Sequence, residues 1–219
     1  MRRPLPAILT REIVPLPSDR RHQAADLLGL ASADHPLVPF LAPAAHGRTR
    51  QALAVAGQSL IGFGEACGAV DVTSPILDGL AIWLTPGQAW QLPLRRAWEL
   101  QVAAALGQGM AGFFRCLRLL AQLDRAGHEG LPEPHAQLLS LAVHPARRGR
   151  GLEETLLAAG LDRVDRTGVP CTTVCFQAAT VLYYVEHGFQ AVADGDVPQG
   201  GPHFWVVRRA ANGAPIRRR

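Results

Sequence analysis

The sequence predicts a single α/β (α+β) domain, and three observations carry that prediction. Two short apolar stretches, Gly68 to Thr73 and Asp78 to Leu84, flank Ser74–Pro75 and read as an antiparallel hairpin. Apolar residues recur at helical spacing over Thr49 to about Ala66 and again within 88–126. Gln137 to Val143 reads as an apolar strand, buried on both faces, that passes through the basic turn ARRGRG into a helix over Leu152 to Arg166.

The remaining elements fall between these. Arg11 to Val14 reads as a first strand ended by Pro15 and Pro17, and Ser18 is placed to cap a helix through Leu30. Three prolines in 32–43 predict a loop or a broken helix. Within 88–126, Leu92–Pro93 is a candidate break, and Arg95 to Leu106 and Gly112 to Leu123 are the strongest helical segments. Across Ala97 to Met110, Glu99, Gln101 and Gln108 interrupt the apolar residues as the polar side of an amphipathic helix would. GHEGLPEPH (127–135) is a loop, and Pro170 to Phe176 a strand. Val181 to Glu186 is a short helix that Gly188 can close in the left-handed conformation. Phe189 to Ala193 and His203 to Arg208 are the last two strands. No internal repeat is visible. The expected organisation is one domain over 11–209, with an N-terminal tail (1–10) and a basic C-terminal tail (210–219).

Composition excludes several classes of function. Of 219 residues, 48% are hydrophobic, enough to bury a sizeable core. No uncharged run reaches the roughly 20 strongly apolar residues that cross a bilayer, and no signal-peptide core follows Arg2 and Arg3. The expectation is a cytoplasmic protein with no membrane partner. All 22 basic residues are arginine, and the net charge is +4. These arginines are scattered and not interleaved with aromatics, so nucleic acid is not an expected partner. The pair in CTTVC has no matching second pair, so Cys67, Cys116, Cys171 and Cys175 are expected to be reduced, mostly buried thiols, with no metal. The apolar helices of 97–123 could pair two copies into a homodimer.

The strand–turn–helix block carries the chemistry. Unpaired N–H groups in the first turn of a helix, aided by its dipole, form an anion site. Gly149 and Gly151 let the backbone approach a phosphate closely, and Arg147, Arg148 and Arg150 supply positive charge. The spacing is neither a Walker A loop nor a dinucleotide fingerprint. On spacing alone, a solvated basic turn before an ordinary amphipathic helix stays open.

The string LLSLAVHPARRGRGL resembles the acyl-CoA-binding motif of the GNAT N-acetyltransferase superfamily, with Val143, Pro145, Arg148 and Gly151 at matching places. LYYVEHGF is similar to that family's second signature through Tyr184, Gly188 and Phe189. ADHPLVPF, DGLAIWLTPG, EPHAQLLSLAV and GGPHFWVVRR extend the likeness over nearly the whole chain, most closely to the puromycin N-acetyltransferase-like branch.

The resemblance implies a GNAT fold: a mixed central sheet of about six to seven strands, flanked by helices and splayed between strands 4 and 5. It implies acetyl-CoA as co-substrate and a small-molecule amine as acceptor. Leu141, Ala142 and Val143 along the strand, and Arg148, Gly149, Arg150, Gly151, Leu152 and Glu153 at the turn, would bind acetyl-CoA. Strand groups left unpaired by the splay would bond to the pantetheine amides, and a strand N–H could donate to the thioester carbonyl. Tyr184 would protonate the departing thiolate. Glu133 and His135 are the first candidates for the base, with Asp34, His35 and His203 behind them. Glu153 stands where the family usually has Gly or Ala, and Glu154 where a small or hydroxylic residue often follows; a carboxylate beside a pyrophosphate opposes binding by like charge. That departure keeps an alternative: a GNAT-fold protein with an altered acyl donor, or a ligand-binding module without transferase activity.

Overall fold

The computed structural model of the protein describes residues 11–41, 49–86, 92–106, 109–128 and 134–211. Its strands are β1 (Glu12–Pro15), β2 (Gly68–Ser74), β3 (Gly79–Leu84), β4 (Ala136–Val143), β5 (Cys171–Cys175), β6 (Gln190–Asp196) and β7 (His203–Arg209). They form one seven-stranded sheet in the order β1-β2-β3-β4-β5-β7-β6. Every neighbouring pair is antiparallel except β4 and β5, which run parallel. The helices are α1 (Arg21–Ala31), α2 (Leu37–Leu41), α3 (Thr49–Cys67), α4 (Leu92–Leu106), α5 (Gly109–His128), α6 (Leu152–Asp165) and α7 (Ala178–Glu186).

β3 explains how the layers meet. All six of its residues are buried, as expected of a strand covered on both faces. Ala81 and Trp83 pack on one side with Leu156 and Leu157 of α6. Leu80 and Ile82 pack on the other with Leu27 and Leu28 of α1 and Ile61 of α3. A bidentate pair from Arg163 of α6 to Asp71 of β2, at 3.1 and 2.7 Å, fastens α6 to the sheet. A third apolar cluster joins α2, α4 and α5 to β7 through Leu41, Val102, Leu119 and Val206.

The mixed sheet, the hairpin of β2 and β3 and the helices agree with the sequence reading, with three corrections. Ser18 does not cap α1; it opens a 3-10 turn over Ser18–Arg20, closed by the Arg20 N–H to the Pro17 carbonyl at 3.0 Å, and α1 begins after it. Among the described residues, Leu92–Pro93 opens a helix rather than interrupting one, and a proline in the first turn removes an N–H that has no helical partner. β4 is not buried throughout: its two ends are, whereas Leu139, Ser140 and Leu141 are half-buried. Both proposed tails and Glu133 fall wholly or mainly outside the described residues, only Ala210 and Ala211 of the C-terminal one being described. Among the described residues, no helix is long and apolar enough to cross a membrane.

Candidate active site

The half-buried centre of β4 results from a gap in the sheet. β4 and β5 are in register at only two positions, Ala136↔Cys171 and Gln137↔Thr172. Beyond them β5 continues along β7 for three more pairs while β4 continues along β3. On the β3 side the register slips: Trp83 faces Leu138 and Ile82 faces Ser140, which leaves Leu139 as an extra residue. Such a bulge bends the strand and increases its local twist. Both features turn β4 away from β5 and leave backbone groups on its open edge.

The gap is a cleft of about 300 Å³. Leu141, Ala142, Val143, Arg148, Glu153 and Tyr184 line it, so six of the sequence-predicted residues come together there. At one end lies the basic turn. Gly149 and Gly151 hold φ of 69° and 77°, the left-handed region that a Cβ disfavours. Gly151 is the N-cap of α6 and provides no side-chain cap, so the N–H groups of the first turn stay available to an anion. Leu152 is buried and pins the turn to the core. Arg150 is exposed. Arg148 donates to the Ala31 carbonyl, at the end of α1, at 2.9 Å. Arg147 is held 3.4 Å from Asp78, which also binds Arg11. Glu153 and Glu154 both stand in the first turn of α6.

Tyr184 forms part of the opposite wall, buried against Phe189 at a ring separation of 5.2 Å. Burial pushes its phenol well above the usual range; Cys175 and Tyr183 act in the same direction, and a hydrogen bond with Thr173 opposes them. Tyr183 packs edge-on against Tyr184, and its own buried hydroxyl has no partner.

The candidate bases scatter. His135 is buried just before β4, at the end still paired with β5, and is not in the wall of the cleft. Asp34 is exposed. His203 sits on the hairpin of β6 and β7, 2.7 Å from Asp196 and 3.3 Å from Asp194. His35 alone of these lines the cleft. Its Nδ1 accepts the Leu37 N–H at 3.2 Å, so the neutral ring carries its proton on Nε2. Burial lowers its pKa and favours that neutral form.

A second cavity, also about 300 Å³, lies under α1, α3, α4 and α5 and is mainly apolar. It joins the cleft at Ser32, His35, Leu139, Ser140, Val174 and Phe176. Glu99 of α4 lines it with 4% of its side chain exposed, and Arg96 donates to Oε2 at 3.2 Å. The sequence reading put Glu99 on the polar side of its helix. The available signal was its spacing to the buried Val102 and Ala103, three and four residues on.

Residues 83–189 match the model of the Acetyltransferase (GNAT) family. The matched segment runs from Trp83 in β3 to Phe189 after α7, and so contains the basic turn and the cleft lining apart from Ala31, Ser32 and His35. Solved structures share the fold. Histone acetyltransferase HPA2 and related acetyltransferase from Corynebacterium glutamicum is 17% identical with a TM-score of 0.66, over 94% of this chain and 99% of that one. Arylalkylamine N-acetyltransferase 2 from Aedes aegypti is 14% identical with a TM-score of 0.61, over 93% and 100%. The ribosomal-protein-S18-alanine N-acetyltransferase from Escherichia coli is 13% identical with a TM-score of 0.54, over 95% and 99%. Residues 83–189 thus match the GNAT acetyltransferase family, and the chain shares its fold with solved acetyltransferases.

Proposed function

We propose that the protein is an acetyl-CoA-dependent N-acetyltransferase that acetylates a small-molecule amine by direct attack on the thioester. The observation that carries this reading is the gap between β4 and β5. It runs from the uncapped start of α6 to Tyr184 and opens into the apolar chamber. A ligand with a pyrophosphate at one end and amides along its arm fits that cleft: the N–H groups of α6 meet the phosphates and the open edge of β4 meets the amides.

The chemistry then distributes over named groups. The amine nitrogen forms a bond to the thioester carbonyl carbon, and the C–S bond breaks. A β4 N–H donates to the carbonyl oxygen as its charge grows. Tyr184 gives its proton to the leaving sulfur. The proton lost by the amine goes to a base, for which Glu133 is proposed, or His135 acting through an intervening water because it stands outside the cleft wall, and returns from there to Tyr184. His35 enters as a hydrogen-bond donor rather than as the base, since its Nδ1 already accepts from Leu37. The resemblance to the puromycin N-acetyltransferase-like branch favours an antibiotic-like amine, and an apolar chamber beside the cleft agrees with that.

Calorimetric titration with coenzyme A, followed by thiol release with an amine panel, tests the reading. Micromolar coenzyme A binding and amine-dependent thiol release are expected; no binding at millimolar ligand removes it. Glu153 supports a second reading, a GNAT-fold protein that prefers another acyl donor or binds without transfer, because its carboxylate lines the cleft. Coenzyme A binding without thiol release from any acyl donor would select that one.

A further inference from the structure

Six described residues line both the cleft and the apolar chamber, and they divide evenly by character. Leu139, Val174 and Phe176 are apolar, whereas Ser32, His35 and Ser140 bring polar side chains to the junction. The turn that presents Ser32 and His35 is fixed by its own backbone. The Ser32 N–H donates to the Leu28 carbonyl at 3.0 Å, and the His35 N–H to the Ser32 carbonyl at 3.0 Å. Ser140 stands beside the bulged Leu139 on β4.

The His35 ring is held on two sides. Its Nδ1 accepts from Leu37, and the ring stands edge-on to Phe176 at 5.2 Å and 71°. The proton of the neutral ring is therefore on Nε2, and no described residue accepts it. The hydroxyls of Ser32 and Ser140 likewise make no hydrogen bond to described residues. All three residues are half-buried, so these groups face water or a ligand. An occupant that displaces the water without replacing its hydrogen bonds loses affinity.

The nitrogen to be acetylated must lie at that junction, where the chamber opens onto the cleft. It attacks through its lone pair, and an imidazole N–H bonded to that lone pair would block it. The His35 donor therefore suits an oxygen close to the nitrogen. A hydroxyl on the adjacent carbon accepts from His35 and donates to a serine oxygen, which leaves the lone pair free. The rest of the occupant lies against Leu28, Leu53, Leu60, Val102, Leu119 and Leu120, so its body is apolar. We propose that the acceptor is an apolar-bodied 1,2-amino alcohol whose hydroxyl is bound by His35, Ser32 and Ser140, making these three residues determinants of acceptor specificity. The proposal rests on the acetyltransferase reading and names the acceptor class within it.

The test compares 2-amino-1-cyclohexylethanol with 2-cyclohexylethylamine, which lacks the hydroxyl. Each is titrated calorimetrically into the full chain with and without saturating coenzyme A. The amino alcohol is expected to bind about tenfold more tightly, the scale of two neutral hydrogen bonds. His35→Phe keeps a ring beside Phe176 and removes the donor, so it should bring the ratio near one, the loss falling on the amino alcohol. Equal affinities in the unsubstituted chain, or binding of neither amine, would overturn the proposal, as would a ratio that His35→Phe leaves unchanged. A loss of coenzyme A affinity in that variant as large as the loss for the amino alcohol would assign these groups to the donor and overturn it too. If His35→Phe does not fold, the double variant Ser32→Ala, Ser140→Ala replaces it, with a reduced ratio expected and an unchanged one counting against the proposal. Failure of the acetyltransferase reading registers separately, as absence of coenzyme A binding to the unsubstituted chain.

Discussion

A phenol that gives up its proton only when a C–S bond breaks must keep that proton at neutral pH, and burial among Cys175, Tyr183 and Phe189 does this for Tyr184. Replacing Tyr184 with Phe should lower kcat by roughly 10²- to 10⁴-fold, with the KM for acetyl-CoA little changed; a rate unaltered in steady-state thiol release would remove the role. Glu153→Gln should lower the KM for acetyl-CoA severalfold by relieving like charge at the cleft, and an unchanged KM would mean that the carboxylate does not sense the phosphates. The same apolar surroundings silence the cysteines: burial pushes the Cys116 thiol up to about 11 and those of Cys171 and Cys175 up to about 12. Thiolates are the reactive form, so a colorimetric disulfide reagent should label none of these three until denaturant is added. At this scale the sequence was informative where a residue belongs to a motif, as with Tyr184 and Arg148. It was not for Glu99, whose charge argued for solvent and whose burial arises where α4 packs against α3 and α5.

At the scale of elements, the start of α6 depends on backbone conformation more than on side chains. Gly151 sits at φ 77°, and a Cβ in the left-handed region costs about 1 kcal/mol. Gly151→Ala should therefore lower stability by about that amount and weaken coenzyme A binding, read together by urea unfolding and calorimetry. If stability falls and affinity holds, the turn has moved without disturbing the anion site. The strand–turn–helix was readable beforehand because glycine, proline and the apolar period all lie within fifteen or so consecutive residues. The bulge at Leu139 was not, because it exists only relative to β3, and a register slip leaves no mark on one strand's own pattern.

For the whole molecule, burial of His35 links stability to pH. Its folded pKa lies below the ordinary value of about 6.5, so the unfolded chain binds the proton more readily. Stability should fall as pH drops through about 6.5 and below, and be fully retained above it. Comparing urea midpoints at pH 7.5 and 5.5 for the native chain and His35→Gln isolates this: the variant should lose less, and equal losses would assign the dependence elsewhere.

The seam between β4 and β5 has a consequence for how the sheet breathes. Two registered pairs join a four-stranded half, β1 to β4, to a three-stranded half of β5, β7 and β6. Amides along the open edge of β4 have no neighbouring strand to shelter them, so they should exchange with deuterated solvent far faster than those facing β3. A ligand lying in the seam would act as a temporary strand and slow that exchange. Mass-spectrometric exchange over 138–143, with and without coenzyme A, would thus report the sheet being completed by something that is not polypeptide.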